Sequence, residues 1–300
     1  MQPGYINLHR TGKLKDRIEK LYAILKSCTL CPRKCRVDRT KEKTGYCRSG
    51  VNPVVSGIAP HFGEEPELVG RGGSGTIFLT GCNLGCIYCQ NYDISHLGKG
   101  SEISVKEMAE AMLHLESLGC HNINFVTPTH FVPQIVSSLD IACKKGLHIP
   151  LVYNCGGYEN VETLQLLEGI IDIYMPDIKY SDNTLAEKYS NAPDYFERCR
   201  EAIKEMHNQV GDLEVVSEGG YSLAVKGLLV RHLVLPENIS GSEKVLKFIA
   251  EEISKNTCIN IMDQYRPCYK AADFKELNRR PTLQEYNSVV DLAKRLGLNR

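Results

Sequence analysis

From about residue 75 onward, short apolar runs alternate with longer stretches in which apolar residues recur every three or four positions. The runs at 76–80, 122–127, 149–154, 171–175, 228–235 and 258–262 predict strands. The stretches 104–118, 133–145, 161–168, 194–206, 242–254 and 282–296 predict helices. Two helix starts are marked by capping boxes, Ser104 with Glu107 and Thr282 with Glu285. There each side chain satisfies a backbone N–H that the helix leaves free. Six strand–helix units argue for parallel strands joined by right-handed crossovers. Functional residues then belong at the C-terminal ends of the strands, where each run here ends in polar or special residues.

Outside this alternation, Leu14, Ile18, Leu21 and Leu25 mark one amphipathic helix packed on the main domain. Residues 50–75 are rich in glycine and proline and read as a connecting segment. An insertion at 207–226 places two apolar-alternating runs around Ser217-Glu218-Gly219-Gly220, a β-hairpin signal. We expect a lid or partner-docking element there. The division expected is an N-terminal helix and Cys-rich segment over 1–70 and a main domain over 71–300.

A chain of 300 residues with 42% hydrophobic and 24% charged residues can bury a sizeable core. Lysine plus arginine equals aspartate plus glutamate, 36 each, so nothing asks for nucleic acid or an anionic membrane. No apolar run approaches the roughly 20 residues of a membrane span. The start Met1-Gln2-Pro3-Gly4 lacks the charged and apolar regions of a signal peptide. A cytoplasmic location is expected. In a reducing compartment, clustered cysteines read as metal or redox ligands rather than disulfides.

Seven of the thirteen cysteines fall into two clusters. Cys82, Cys86 and Cys89 have the spacing C-x3-C-x2-C among glycines that let the backbone wrap closely. A [4Fe-4S] cluster takes four ligands, so three close cysteines leave one iron open. A structural zinc site would need a fourth ligand, and His96, the nearest downstream candidate, is not at a usual spacing. Cys28, Cys31, Cys35 and Cys47 form the second cluster, with Arg33, Lys34, Arg36, Arg39, Lys41 and Lys43 around them. Four thiolates suit a structural zinc or a second iron–sulfur cluster, and spacing does not choose between them.

The first cluster resembles the motif of the radical S-adenosylmethionine (SAM) superfamily, C-x3-C-x-aromatic-C, with Tyr88 in the aromatic slot. The resemblance implies a partial (β/α)6 TIM-type barrel over about 70–270. It also implies an open iron that chelates SAM, whose reductive cleavage yields a 5'-deoxyadenosyl radical that abstracts hydrogen from a substrate. The chain is most similar to activating enzymes of glycyl-radical enzymes such as pyruvate formate-lyase, which implies a protein or peptide substrate. A flavodoxin- or ferredoxin-type one-electron reductant is implied as partner. Two alternatives stay open: a small-molecule substrate, or a non-catalytic iron–sulfur electron carrier.

The same resemblance supplies SAM-site candidates. Met175-Pro176-Asp177-Ile178-Lys179 is similar to a Met-x-Asp-x-Lys strand end, where the aspartate and methionine carbonyl hold a monovalent cation and the lysine meets the SAM carboxylate. A plain surface ion pair of Asp177 with Lys179 is the simpler reading. Arg231, in a run similar to Arg-x-Val-Val-Val-Pro, is expected near SAM, and Asn154 at a ribose or cation contact. Where many activating enzymes carry Gly-Gly-Glu, this chain has Val126-Thr127-Pro128-Thr129-His130, which makes Thr127 and Thr129 the candidates for the SAM ammonium. His130 is either a proton donor or substrate contact, or a surface or turn histidine. Tyr265 is a candidate to stack on adenine or line the substrate channel.

Overall fold

The computed structural model describes residues 2–41 and 44–298. Lys43 of the basic group, and Met1, lie outside the described residues. The strands are β1 (Val54–His61), β2 (Ser74–Leu79), β3 (Ser101–Glu102), β4 (Ile123–Val126), β5 (Leu151–Cys155), β6 (Ile173–Pro176), β7 (Glu214–Glu218), β8 (Tyr221–Leu233) and β9 (Cys258–Met262). They form one sheet in the order β3-β1-β2-β4-β5-β6-β8-β7, with β9 also paired to β8. The run β2-β4-β5-β6-β8-β9 is parallel throughout, six strands as the periodicity predicts. β1, β3 and β7 are antiparallel additions. β9 is paired with β8 alone among the described residues, so the barrel is unclosed.

Alternation along parallel strands sorts the side chains. Val152, Ile173, Met175 and Leu229 pack with Leu68 and Ala224 as one buried cluster on the inner face. Tyr153, Tyr174, Leu228 and Val230 face the other way and join the larger core under the helices. Two residues further along the same faces come Asn154, Asp177 and Arg231. The period that builds the core therefore also aims these polar groups inward at the C-terminal ends.

Both capping boxes form, opening the helices Val105–Ser117 and Leu283–Arg295. Val132–Lys144, Val161–Gln165 and Tyr195–Val210 follow the predicted helices closely. The predicted helix 242–254 is α-helical over Ser242–Phe248 and winds more loosely, as a π-helix, over Ile249–Ile253. The helix Lys13–Ile24 buries Leu14 and Leu21 and packs on Val132–Lys144.

Residues 50–75 are not merely a connector. They supply β1, which covers the otherwise free edge of β2, and a short helix, Pro66–Val69, whose Leu68 fills the inner face. Glycine and proline content hid a strand that meets β3 only at Val54 and Val55, so its later part, with Gly57 and Pro60, pairs on one edge alone, where proline is tolerated. The helices Gly4–Arg10, Tyr92–Ser95 and Asn183–Ser190 also went unread. The expected hairpin exists, but its second strand runs on into β8 without a break.

Candidate active site

β2 leads through Thr80 and Gly81 into the loop that carries Cys82, Cys86 and Cys89. Gly81 has φ 79°, and a Cβ there would meet the Cys47 carbonyl at 2.6 Å, so conformation and packing both require glycine. The loop is pinned by its own amides: Gly81 N donates to Ile94 O (3.1 Å), Gly85 N to Ser190 O (2.9 Å) and Ile87 N to Tyr189 O (2.9 Å). Each thiol has a polar neighbour. Leu84 N donates to Cys82 Sγ (3.3 Å), Ser190 Oγ to Cys86 Sγ (2.9 Å), and Ser95 Oγ lies 3.2 Å from Cys89 Sγ. Burial holds the Cys82 and Cys86 thiols above the usual range, and the Lys179 ammonium opposes it at both. Donors and a nearby cation favour the thiolate form. Three such thiols, with no fourth cysteine on the loop, fit a [4Fe-4S] cluster with one open iron.

Asn154, Asp177, Lys179 and Arg231 come together at the C-terminal ends of β5, β6 and β8. Arg231 Nε donates to Asp177 Oδ1 (2.8 Å), and its Nη2 to Asn154 Oδ1 (2.7 Å). Lys179 Nζ donates to Asp177 Oδ2 (2.6 Å). Burial would raise the Asp177 carboxyl, but Arg231 and Lys179 hold it below the ordinary range. Burial likewise opposes the Lys179 charge, and Asp177 and Cys86 outweigh it. Both carboxylate oxygens are thus engaged by side-chain cations, Lys179 and Arg231, where the resemblance had implied a monovalent cation held by Asp177 and the Met175 carbonyl. The simpler reading, a surface ion pair, does not describe Asp177 and Lys179, whose side chains are 14% and 16% exposed.

Supporting groups hold this network. Tyr195 Oη accepts from Lys179 N (2.9 Å) and donates to Gly156 O (2.9 Å). Gly157 has φ 77°, and a Cβ would meet Asp177 O at 2.3 Å. Glu64, read only as part of a linker, lies 3.5 Å from Arg231 Nη1, and burial raises its carboxyl.

The other candidates are placed differently. Thr127 sits at the end of β4 with φ 60°, strained for a β-branched residue, and its N donates to Asn154 O (2.8 Å). Thr129 is turned away onto Glu159, donating to Oε1 at 2.7 Å. Glu159 also accepts from Tyr153 Oη (2.9 Å), and burial pushes its carboxyl up to about 7. His130 lies in the tight turn Thr129–Phe131 but is not a surface histidine. It is buried, its Nε2 faces Thr80 O at 2.7 Å, and burial lowers its pKa to about 4. Tyr88 is buried with its ring edge-on to Tyr180 and Tyr265, at 6.4 and 5.8 Å. Tyr265 is itself buried and donates to Leu277 O (2.7 Å), so it braces Tyr88. His96 faces the Cys86 carbonyl at 2.9 Å rather than a thiol.

One inner-face residue had no sequence signal. Asn124, in register with Thr76 and Val152, is fully buried, and neither of its amide atoms has a partner. An orphaned amide inside the barrel, beside the charged network, suits a polar ligand.

Comparison with known proteins gives the following. Residues 76–218 match the radical SAM superfamily. An uncharacterized protein of Methanocaldococcus jannaschii is 34% identical over 293 residues, covering 94% of this chain and 79% of that protein. A second uncharacterized protein of the same organism is 22% identical over 267 residues, covering 82% and 72%. Two solved structures are more distant: anSMEcpe with bound AdoMet (11% identity, TM-score 0.45, covering 72% of this chain and 57% of that one) and methylornithine synthase PylB (14%, 0.45, 73% and 62%). This chain therefore spans less than two thirds of either solved structure. The cysteine loop at the end of β2, the parallel unclosed barrel and the sequence match agree: the chain belongs to the radical SAM superfamily.

Proposed function

We propose that this radical SAM enzyme acts on a protein or peptide, as the activating enzymes that its motifs resemble do. Family membership brings a [4Fe-4S] cluster and SAM as cofactors, and sets aside the non-catalytic electron carrier. The observation that carries the site reading is the convergence of Asn154, Asp177, Lys179 and Arg231 beside the cysteine loop. When bound, the cluster supplies radical initiation by reductive cleavage of SAM.

The chain's own residues bind and orient. Lys179 and Arg231 offer the positive charge that an amino-acid carboxylate needs in a buried site, and Asp177 keeps both side chains in place. Asn154 and Asn124 offer amide groups to the remaining polar atoms, and Tyr88 shields the loop from water. Radical SAM enzymes need an electron donor, for which we propose a flavodoxin- or ferredoxin-type protein, and a cytoplasmic setting agrees with such a partner. No helix among the described residues is long and apolar enough to cross a membrane.

The unclosed side at β9 supports a macromolecular substrate, because an extended segment can enter where no strand closes the barrel. The test uses extracts from cells grown on deuterated medium, split into macromolecular and small-molecule fractions. The loaded enzyme should transfer deuterium into 5'-deoxyadenosine with the macromolecular fraction. Transfer with the small-molecule fraction alone would sink the proposal in favour of a small-molecule substrate.

A further inference from the structure

The N-terminal cysteines take no part in the site above, yet the fold gathers them. Cys28, Cys31, Cys35 and Cys47 line one cavity, together with Arg33, Arg39 and His130. The loop between them is tightly wrapped: Lys34 and Arg36 have φ 41° and 54°, Arg36 N donates to Cys28 O (2.9 Å), and Tyr46 N donates to Cys35 Sγ (3.4 Å).

The charges around this cavity do not balance. Arg39 is 1% exposed, and its guanidinium meets neutral groups, Gly50 O (2.6 Å), His130 O (2.7 Å) and the Phe131 ring (5.7 Å to its centroid). Among the described residues no carboxylate pairs with it. A buried guanidinium without an anion is costly. Two further polar atoms at the same cavity are buried without partners, Arg33 Nη2 and His130 Nδ1. His130 Nε2 faces the Thr80 carbonyl and so carries the hydrogen, which leaves a lone pair on Nδ1. Neutral thiols carry no charge to offset either arginine. Thiolates on a metal carry net negative charge and would face both arginines.

We propose that Cys28, Cys31, Cys35 and Cys47 form a second metal centre, thiolate-ligated, occupied by a thiophilic metal as a zinc ion or an iron–sulfur unit. Among the described residues no three His, Cys, Asp or Glu side chains converge on a single-ion position, so binding requires the four thiols to move inward within the loop. The centre abuts the radical site. Arg33 Nε donates to Asn83 O (2.9 Å), between Cys82 and Cys86, and Asn191 Nδ2 donates to Tyr46 Oη (3.1 Å).

The test removes the first centre to expose the second. The variant Cys82→Ala/Cys86→Ala/Cys89→Ala is purified anaerobically without added metal, and zinc, iron and acid-labile sulfide are measured per chain. We expect stoichiometric metal that disappears when Cys28→Ala and Cys31→Ala are added. Zinc without sulfide identifies a single ion, and iron with sulfide and visible charge-transfer absorption identifies a cluster; either result supports the centre. A triple variant that is folded by circular dichroism yet metal-free would overturn it. If the triple variant does not fold, the wild-type protein decides. Mass-spectrometric mapping of alkylation should find these four cysteines protected and released only by a chelator or mercurial, and full labelling of the untreated protein would overturn the proposal.

Discussion

Lys179→Met keeps the apolar stem and removes the ammonium, which makes it the sharpest probe of the charged network. In the wild type the ammonium is 2.6 Å from Asp177 Oδ2, and Arg231 Nε is 2.8 Å from Oδ1. Removing one partner of a buried pair costs about 3–5 kcal/mol when the remaining charge is left alone. Here Asp177 keeps Arg231, and the pair is not fully enclosed, so we expect about 1–2 kcal/mol of lost stability. Asp177→Asn is harsher. It leaves Arg231 and Lys179 side by side with Glu64, at 3.5 Å from Arg231, and the more distant Glu65 to offset them, and an amide N–H would face one of them. For this variant we expect about 2–4 kcal/mol, which for a chain of this size lowers Tm by about 4–10 °C. SAM affinity should separate from stability. Loss of one charge-assisted contact to a carboxylate costs about 1.5–3 kcal/mol, which is roughly tenfold or more in Kd, so Lys179→Met should bind SAM poorly while melting close to wild type. Anaerobic titration calorimetry on cluster-loaded protein reads the affinity, and thermal denaturation reads the stability. A Lys179→Met protein with wild-type SAM affinity would refute the assignment, and an unaltered melt for Asp177→Asn would refute the energetics.

Glu159, whose carboxyl burial pushes up from 4.5 to about 7, is more protonated in the folded than in the unfolded chain across that window. Stability therefore falls as pH rises from about 4.5 to 7, by at most about 3 kcal/mol, and Glu159→Gln should flatten that fall in denaturant titrations across the range; an unchanged slope would count against it. Ser190→Ala removes the donor 2.9 Å from Cys86 Sγ, so the radical cluster should become harder to reduce, and a redox titration giving an equal or higher midpoint would contradict this. Replacing residues 217–222 of the exposed hairpin by an Asn-Gly turn, which keeps Val216 paired with Leu223, should spare Tm and SAM binding but lower turnover with the macromolecular fraction, and wild-type turnover would remove the docking role.

The parallel barrel was legible because its strands are buried on both faces and its helices are not. Apolar runs such as Leu228 to Val230 and three-to-four spacing therefore survive in the sequence as separate signals. β1 was lost because beyond its two-residue pairing with β3 one side of it is free, and there Gly57 and Pro60 carry little penalty, which erases the usual composition. The cysteine loop was legible from its own spacing, whereas Asp177, Lys179 and Arg231 were legible only through the resemblance of their strand ends to family motifs. Glu64, Asn124 and Glu159 were not. Their environment is made by contacts between residues far apart in the chain, such as Thr129 with Glu159, and no local pattern encodes such burial. Thr129 was misplaced for that reason: its hydroxyl had a partner that the sequence did not reveal. Tyr265 misled similarly, as its hydroxyl is spent on the Leu277 carbonyl.

The most direct test of the account is 5'-deoxyadenosine formation by anaerobically reconstituted protein, reduced and supplied with SAM, beside Cys86→Ala handled identically. The account predicts product from the wild type and none from the variant. Product from both proteins, or none from a wild type that holds a full cluster, binds SAM and has been given the deuterated macromolecular and small-molecule fractions, would contradict it.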